Sequence, residues 1–348
     1  MKPLLTDRTT IETDWSCGMK RWWYKEHDGT GMVPVVEAVY YKQGREIHSD
    51  LSRLLLGESL DSVLEGIGPV PTNDQTLWEP HVRRIGWVVA FALYVLPSLL
   101  ARYEVVSSEN ELILERGRLW VANTSDLVLR DKLDGRLVVL DFKSVKILSA
   151  SWFASWVTAI QLQILIRAVV EELGEPVKWA QIMGLTKGQV RSAKLRHPYV
   201  WAYSDGGDLW SPDWHSGWEL RPTFEYPGGV RAWVEKLGEE VGRSQFPLSQ
   251  PVFSNERLLN RLLRRRLVRE AEVEKVRARA QQSVSVRERY FEPRYKECRP
   301  AFGDACPFLL ACHDADIGRD PIGSGVFVPR TPHHDVEELL RNEGEEEE

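Results

Sequence analysis

The segment RLVVLDFKS, residues 136–144, constrains the fold more than any other part of the chain. Its aliphatic run Leu137-Val138-Val139-Leu140 predicts a buried β-strand whose charged residues emerge only at its end. Asp141 and Lys143 stand two residues apart, so strand geometry turns both side chains to one face. Just upstream, Asp134-Gly135 supplies a tight turn, and the run LWVANTSDLVLR before it reads as a second strand. Folding back at that turn brings Asp126 alongside Asp141. Two close carboxylates repel unless a cation lies between them. A magnesium or manganese ion meets that need with hard oxygen ligands, water and substrate phosphate. An isolated Asp-x-Lys also occurs by chance on solvated strands; the apolar run in front of this one sets it apart.

The surrounding pattern places this hairpin in an α/β chain. Tyr103 to Lys146 reads as an antiparallel meander of three strands, Ser151 to Leu173 has helical periodicity, and Val177 to Leu185 reads as one further strand. Upstream, a helical pattern follows the Gly29 to Gly31 breaker, runs through Leu56 and carries His48. Ile85 to Ala101 is apolar but short for a membrane span and contains Pro97, so it predicts a buried helix and no membrane association. Divided serially, residues 1–57 form an N-terminal cysteine and histidine-helix segment, 58–190 the core, and 191–227 a tryptophan-rich insertion. Residues 228–320 form a helical region with three cysteines, including a helix at Gly229 to Gly242 and an arginine-rich stretch from Asn255 to about Arg289. Residues 321–348 read as an acidic tail, expected to be disordered and ending in EGEEEE.

A formal net charge of -6 removes any global attraction to a polyanion, so nucleic-acid contact would have to come from local basic patches. Four cysteines in 348 residues are too few for a disulfide scaffold, and the start MKPLLTDRTT lacks the apolar stretch of a signal peptide. Both features predict a reducing, cytoplasmic setting.

Taken in order, Gly44-Arg45-Glu46-Ile47-His48, Glu104, Asp126, Asp141-Phe142-Lys143 and Gln161 within AIQLQILIRA resemble the motifs of the PD-(D/E)XK nucleases. Within that superfamily they are similar to the RecB-like group, which includes AddB-type proteins, CRISPR-associated four-cysteine exonucleases and phage-type relatives. The resemblance implies a restriction-endonuclease-like core, a mixed sheet flanked by helices, followed by a C-terminal helical and cysteine-rich segment. It implies that His48, Asp126 and Asp141 bind metal together with the Phe142 carbonyl, and that Lys143 activates water. Glu104 takes the place of the group's carboxylate on the first core strand, and Gln161 that of its helix glutamine. Leu165 stands where the group usually has tyrosine. Outside this pattern, a lone histidine such as His48 also suits a helix surface or a core, and Glu104 a solvated strand.

Cys298, Cys306 and Cys312 form C-x7-C-x5-C, and Cys17 completes the set. Four thiolates suit one 4Fe–4S cluster; they also suit one structural zinc, or simply four buried thiols. The resemblance favours the cluster, since its members carry one cysteine ahead of the core and three after it. Such a site would staple Cys17 to the C-terminal segment and close almost the whole chain into a loop.

Three surfaces remain open from composition alone. Arg257, Arg261, Arg264, Arg265, Arg266 and Arg269 suit either a phosphate-backbone contact or a solvated helix face balanced by Glu270, Glu272 and Glu274. Lys20 to Tyr24 suits single-strand stacking or packing beside the cysteines, and Trp201, Trp210, Trp214 and Trp218 a stacking surface or a minicore. The resemblance implies a Mg- or Mn-dependent DNA exonuclease of repair or recombination that acts on single-stranded DNA or single-stranded ends. Partners would be DNA and a helicase, recombination or CRISPR-adaptation complex. The alternative is a non-cutting, nuclease-derived DNA-binding or recombination subunit with structural zinc or iron–sulfur.

Overall fold

The computed structural model describes residues 3–35, 39–67, 75–145, 149–186, 201–203, 218–220, 246–294, 296, 298, 306–331 and 334. In chain order its elements open with β1 (Leu4–Asp7), α1 (Arg8–Ser16), α2 (Gly18–Arg21), β2 (Met32–Pro34), α3 (Val39–Leu55), α4 (Leu60–Ile67), α5 (Gln75–Ala90) and α6 (Leu96–Arg102). They continue with β3 (Tyr103–Arg116), β4 (Leu119–Asp131), β5 (Leu137–Val145), α7 (Ala150–Ser155), α8 (Ile160–Leu173) and β6 (Val177–Thr186). The remainder are β7 (Trp201–Tyr203), β8 (Trp218–Leu220), α9 (Glu256–Gln282), α10 (Val284–Tyr290), α11 (Leu309–Asp316) and β9 (Phe327–Pro329). The architecture is α/β, with a mixed five-stranded sheet of order β1-β4-β5-β6, β3 pairing with β4, and helices flanking it.

Residues group into two compact units. Unit 1 holds Met1–Glu37, Glu111–Thr124 and Asn255–Glu348; unit 2 holds Ala38–Asn110 and Ser125–Ser254. This grouping interleaves segments that the sequence divides serially, because sheet pairing and core packing join residues far apart in the chain.

Unit 2 is built on the predicted meander. β4 and β5 pair antiparallel from Arg130↔Leu137 to Leu127↔Leu140, and β5 pairs parallel with β6. Alternation divides β5 as expected: Val138, Leu140 and Phe142 join the core of this unit with Ile47, Leu51, Leu54 and Leu55 of α3. Buried positions 44, 47, 51, 54 and 55 repeat at helical spacing, which lays one stripe of α3 on that core. The apolar run Ile85 to Ala101 is helical, with a π-helical turn at Phe91–Val95 and Pro97 tolerated in the first turn of α6. Its Trp87, Val88, Phe91, Val95 and Leu99 are core residues.

Unit 1 has its own core, in which Trp22, Trp23 and Met32 pack with Val273, Val276, Phe291, Phe308 and Phe327. β1 runs parallel to the Leu119–Ala122 part of β4, and β2 pairs antiparallel with β9. Asp7 caps α1 by accepting the Thr10 N–H at 2.6 Å. Along α9, Leu259, Leu263, Arg266, Glu270, Val273, Val276 and Ala280 recur every three or four residues as its buried face. Two of those positions are charged and have partners. Arg21, fully buried, contacts Glu26 at 2.9 Å and Glu270 at 2.6 Å, while Arg266 reaches Asp14 at 2.8 Å.

Several expectations need correction. The helix read over Ser151 to Leu173 is two helices, α7 and α8, because Ala159 is extended (ψ 125°) between them. Residues 321–331 are not tail: Phe327 is buried and β9 pairs with β2, since one apolar strand is enough to dock the segment. The arginine-rich stretch breaks at Ser283, whose side chain caps α10. Arg266 and Arg269 are committed to Asp14, while Arg257, Arg261, Arg264 and Arg265 are exposed. Of the two readings open for Lys20 to Tyr24, packing is the one found and needs no correction, with Trp22 and Trp23 at 0% and 1% exposure. Of the tryptophan-rich insertion only β7 and β8 are described, and they pair antiparallel. Trp210, Trp214, the helix at Gly229 to Gly242 and the EGEEEE end lie outside the described residues.

Candidate metal centre

One step beyond the Leu127↔Leu140 pair, the register of the hairpin reaches Asp126 and Asp141. The Phe142 N–H bonds the Asp126 carboxylate at 2.6 Å, so a side chain takes up a backbone donor at the point where this ladder stops. α3 supplies His48 from beside its buried stripe, part-buried. Its Nδ1 lies 3.5 Å from Asp126 Oδ2, and its ring packs edge-on to Phe142 at 5.9 Å. Among the described residues the buried His48 Nε2 has no hydrogen-bond partner. A buried polar atom left without a partner is costly, unless a ligand such as a metal ion completes it.

β3 contributes Glu109. Its carboxylate, the His48 ring nitrogen and Asp126 lie within 4.8 Å of one another, the one such group of acidic, histidine or cysteine ligands among the described residues. Glu109 has a φ of 51°, the left-handed region that costs a non-glycine residue about 1–2 kcal/mol. Strain of this kind inside a strand re-aims a side chain, and here it aims a carboxylate at the cluster. Glu104 is elsewhere: both glutamates are exposed, but Glu104 acts electrostatically on Arg130 and is not among the ligands within 4.8 Å, so the structure does not bring it to the group. The signal for Glu109 was present only as the polar run Ser107 to Glu111, which interrupts the apolar pairs and triplets of this strand.

Asp141, 1% exposed, accepts a hydrogen bond from Gln161 Nε2 at 2.8 Å and pairs with the Lys143 ammonium. Lys143 Nζ also donates to the Phe142 carbonyl at 3.1 Å. The lysine therefore bridges two of the oxygens that the resemblance assigns to metal. Leu165, where tyrosine was expected, is a fully buried core residue of α8.

The electrostatics are unbalanced. Partial burial, the charge of Asp126 and that of Asp141 push the Glu109 carboxyl up to about 6. Burial also works against ionising Asp126, but Lys143, His48 and the Phe142 N–H outweigh it and hold that carboxyl below its ordinary range. Three carboxylates thus converge on one lysine and one imidazole. A divalent cation is the simplest counter-charge, and the mixed oxygen and nitrogen set fits one.

The cysteines lie in unit 1. Gly18 approaches Phe291 so closely that a Cβ there would stand 2.5 Å from a backbone carbon, and this lets Cys17 Sγ accept the Arg294 N–H at 3.3 Å. Cys312 Sγ accepts from Trp23 Nε1 at 3.2 Å, and the Cys306 N–H bonds the Cys298 carbonyl at 2.9 Å. Burial, together with the charges of the other three cysteines, pushes the Cys312 thiol up to about 11.

No protein-family profile matches the chain and no curated protein matches it, so its character rests on the site itself: a mixed α/β fold carrying a His/Glu/Asp cluster consistent with metal binding.

Proposed function

We propose that the chain is a metal-dependent nuclease that hydrolyses DNA phosphodiester bonds, with an iron–sulfur cluster on its four cysteines. The observation that carries this is the convergence of His48, Glu109 and Asp126 within 4.8 Å, with Asp141 and Lys143 at the same strand end. Magnesium or manganese held by His48, Glu109, Asp126 and Asp141 would neutralise charge on the attacked phosphate and lower the pKa of bound water. Asp126 is kept ionised by its neighbours and so is ready to ligate. Gln161 fixes the orientation of Asp141 through its 2.8 Å bond. Lys143 holds an ammonium beside Asp141, from which it orients the attacking water and meets the developing negative charge.

Support for the cluster comes from the nearness of the thiols to one another: Cys306 and Cys312 both feel the charges of Cys17 and Cys298, as ligands of one shared cluster would. N–H donors already aimed at Cys17 and Cys312 sulfur would favour thiolates there.

The decisive experiment is anaerobic purification followed by metal analysis and cleavage of defined single- and double-stranded DNA. Iron with acid-labile sulfide, together with manganese- or magnesium-dependent cleavage of strand ends, is expected. Cluster or zinc without cleavage would replace the enzyme with a non-cutting DNA-binding or recombination subunit. Zinc without iron would replace the cluster with a zinc staple.

A further inference from the structure

Three residues beyond β5 the chain reads SASWFASWVTAI, residues 149–160, with no carboxylate among its residues. The Ser149 side chain caps α7 by accepting the Trp152 N–H at 3.1 Å. Helical spacing then sets Trp152 and Trp156 on one side, with ring centroids 5.6 Å apart, and Phe153 lies 4.8 Å from Trp152. None of these rings is core: α7 has no buried residue, whereas Trp22, Trp23 and Trp87 are at most 1% exposed. Alanines and serines separate the aromatics and leave them accessible. The cluster is also joined to the metal centre, because Lys143 Nζ lies 5.9 Å from the Trp156 ring while pairing with Asp141.

We propose that Trp152 and Phe153, steadied by Trp156, form a stacking platform for a nucleobase of the strand whose phosphate meets Lys143 and the His48, Glu109 and Asp126 group. This rests on the nuclease function proposed above and specifies its substrate. Part-exposed rings beside a cation and free of carboxylates meet both demands of a single strand: π-faces for unstacked bases and positive charge for the backbone. A paired duplex keeps its bases stacked on one another, so the platform selects single-stranded or frayed ends. Being sequence-tolerant, stacking of this kind adds affinity without base readout.

The test measures binding of a short oligothymidylate, an abasic oligomer of equal length and a duplex, with calcium replacing magnesium so that strands are held and not cut. Wild type should bind the oligothymidylate about tenfold more tightly than the abasic oligomer, the scale of one stacked base. Trp152→Ala and Phe153→Ala should each remove most of that advantage and leave abasic binding unchanged, and Trp152→Phe should restore it. Variants that bind both oligomers like wild type overturn the platform and leave α7 as a protein-contact surface, with the nuclease function intact if wild type cleaves. Equal loss for both oligomers also overturns it, since the effect would then be on the fold or the backbone contacts. If wild type neither binds nor cuts any of the three, the nuclease function itself fails and the platform goes with it.

Discussion

In unit 1, Arg21 and Arg266 lie against Glu26, Glu270 and Asp14, and the charges answer one another. In unit 2, Glu109, Asp126 and Asp141 gather at one lysine, Lys143, and an imidazole whose Nε2 has no hydrogen-bond partner among the described residues. Both clusters bury ionisable groups, yet Glu270 in one and Glu109 in the other move in opposite directions. Burial alone would raise Glu270, but Arg21 and Arg266 hold it down at about 2. Burial and neighbouring carboxylates push Glu109 up to about 6. Matched charge is what a fold needs to hold itself together; surplus charge of one sign, held in place by strain, is what a fold keeps for a ligand.

The largest effect should come from breaking the balanced cluster. Arg21→Ala leaves Glu26 and Glu270 buried without their shared cation and should cost about 3–5 kcal/mol, read from urea unfolding. A loss below about 1 kcal/mol would erase the contrast between the units. Asp126→Asn should do the reverse. Cleavage should fall on the order of a thousandfold, several kcal/mol of barrier, while stability falls only modestly, because Asn keeps an acceptor for the Phe142 N–H and gives up only the ionised carboxyl that Lys143 and His48 favour. A variant that loses stability in step with activity would make Asp126 structural.

Acidity should separate the clusters next. Glu109 lies above its ordinary value of 4.5, so the metal-free site carries a repulsion that is relieved as pH falls through about 6. Metal binding needs the ionised form and should weaken over the same window, by up to tenfold per pH unit, as calorimetric titration with manganese would show. Glu109→Gln should bind manganese more weakly and lose this part of the pH dependence. Glu270 lies below its ordinary value, so its contribution to unit 1 is present above about pH 4.5 and is lost as pH falls towards 2. The smallest effect belongs to Gln161→Ala, which removes the donor to Asp141 Oδ1. It should cost about 1 kcal/mol, roughly fivefold in cleavage rate. A null result would mean that Gln161 does not orient Asp141.

The hairpin that carries Asp126, Asp141 and Lys143 was legible because a period of two, an Asp-Gly turn and an aliphatic run all act over short range. His48 was legible only through its helix motif, and its open Nε2 was not. The break between α7 and α8 escaped periodicity, since both halves continue one helical pattern and only backbone geometry at Ala159 interrupts it. The strand at Phe327–Pro329 escaped composition, because the acidic end masks three residues whose pairing partner is nearly three hundred positions away.

By itself, then, the sequence determined the local elements and the chemistry available to them: which runs become strand or helix, where Asp-x-Lys falls on a face, and that four thiols exist. Tertiary structure decided which carboxylate joins His48 and Asp126. Glu109 does so and Glu104 does not, because a left-handed backbone at one strand position redirects a side chain, and a one-dimensional pattern carries no such torsion. It also decided which arginines are spent within the fold. Arg266 and Arg269 differ from Arg264 and Arg265 only in the face of α9 they occupy, and a helix face acquires meaning when something packs against it.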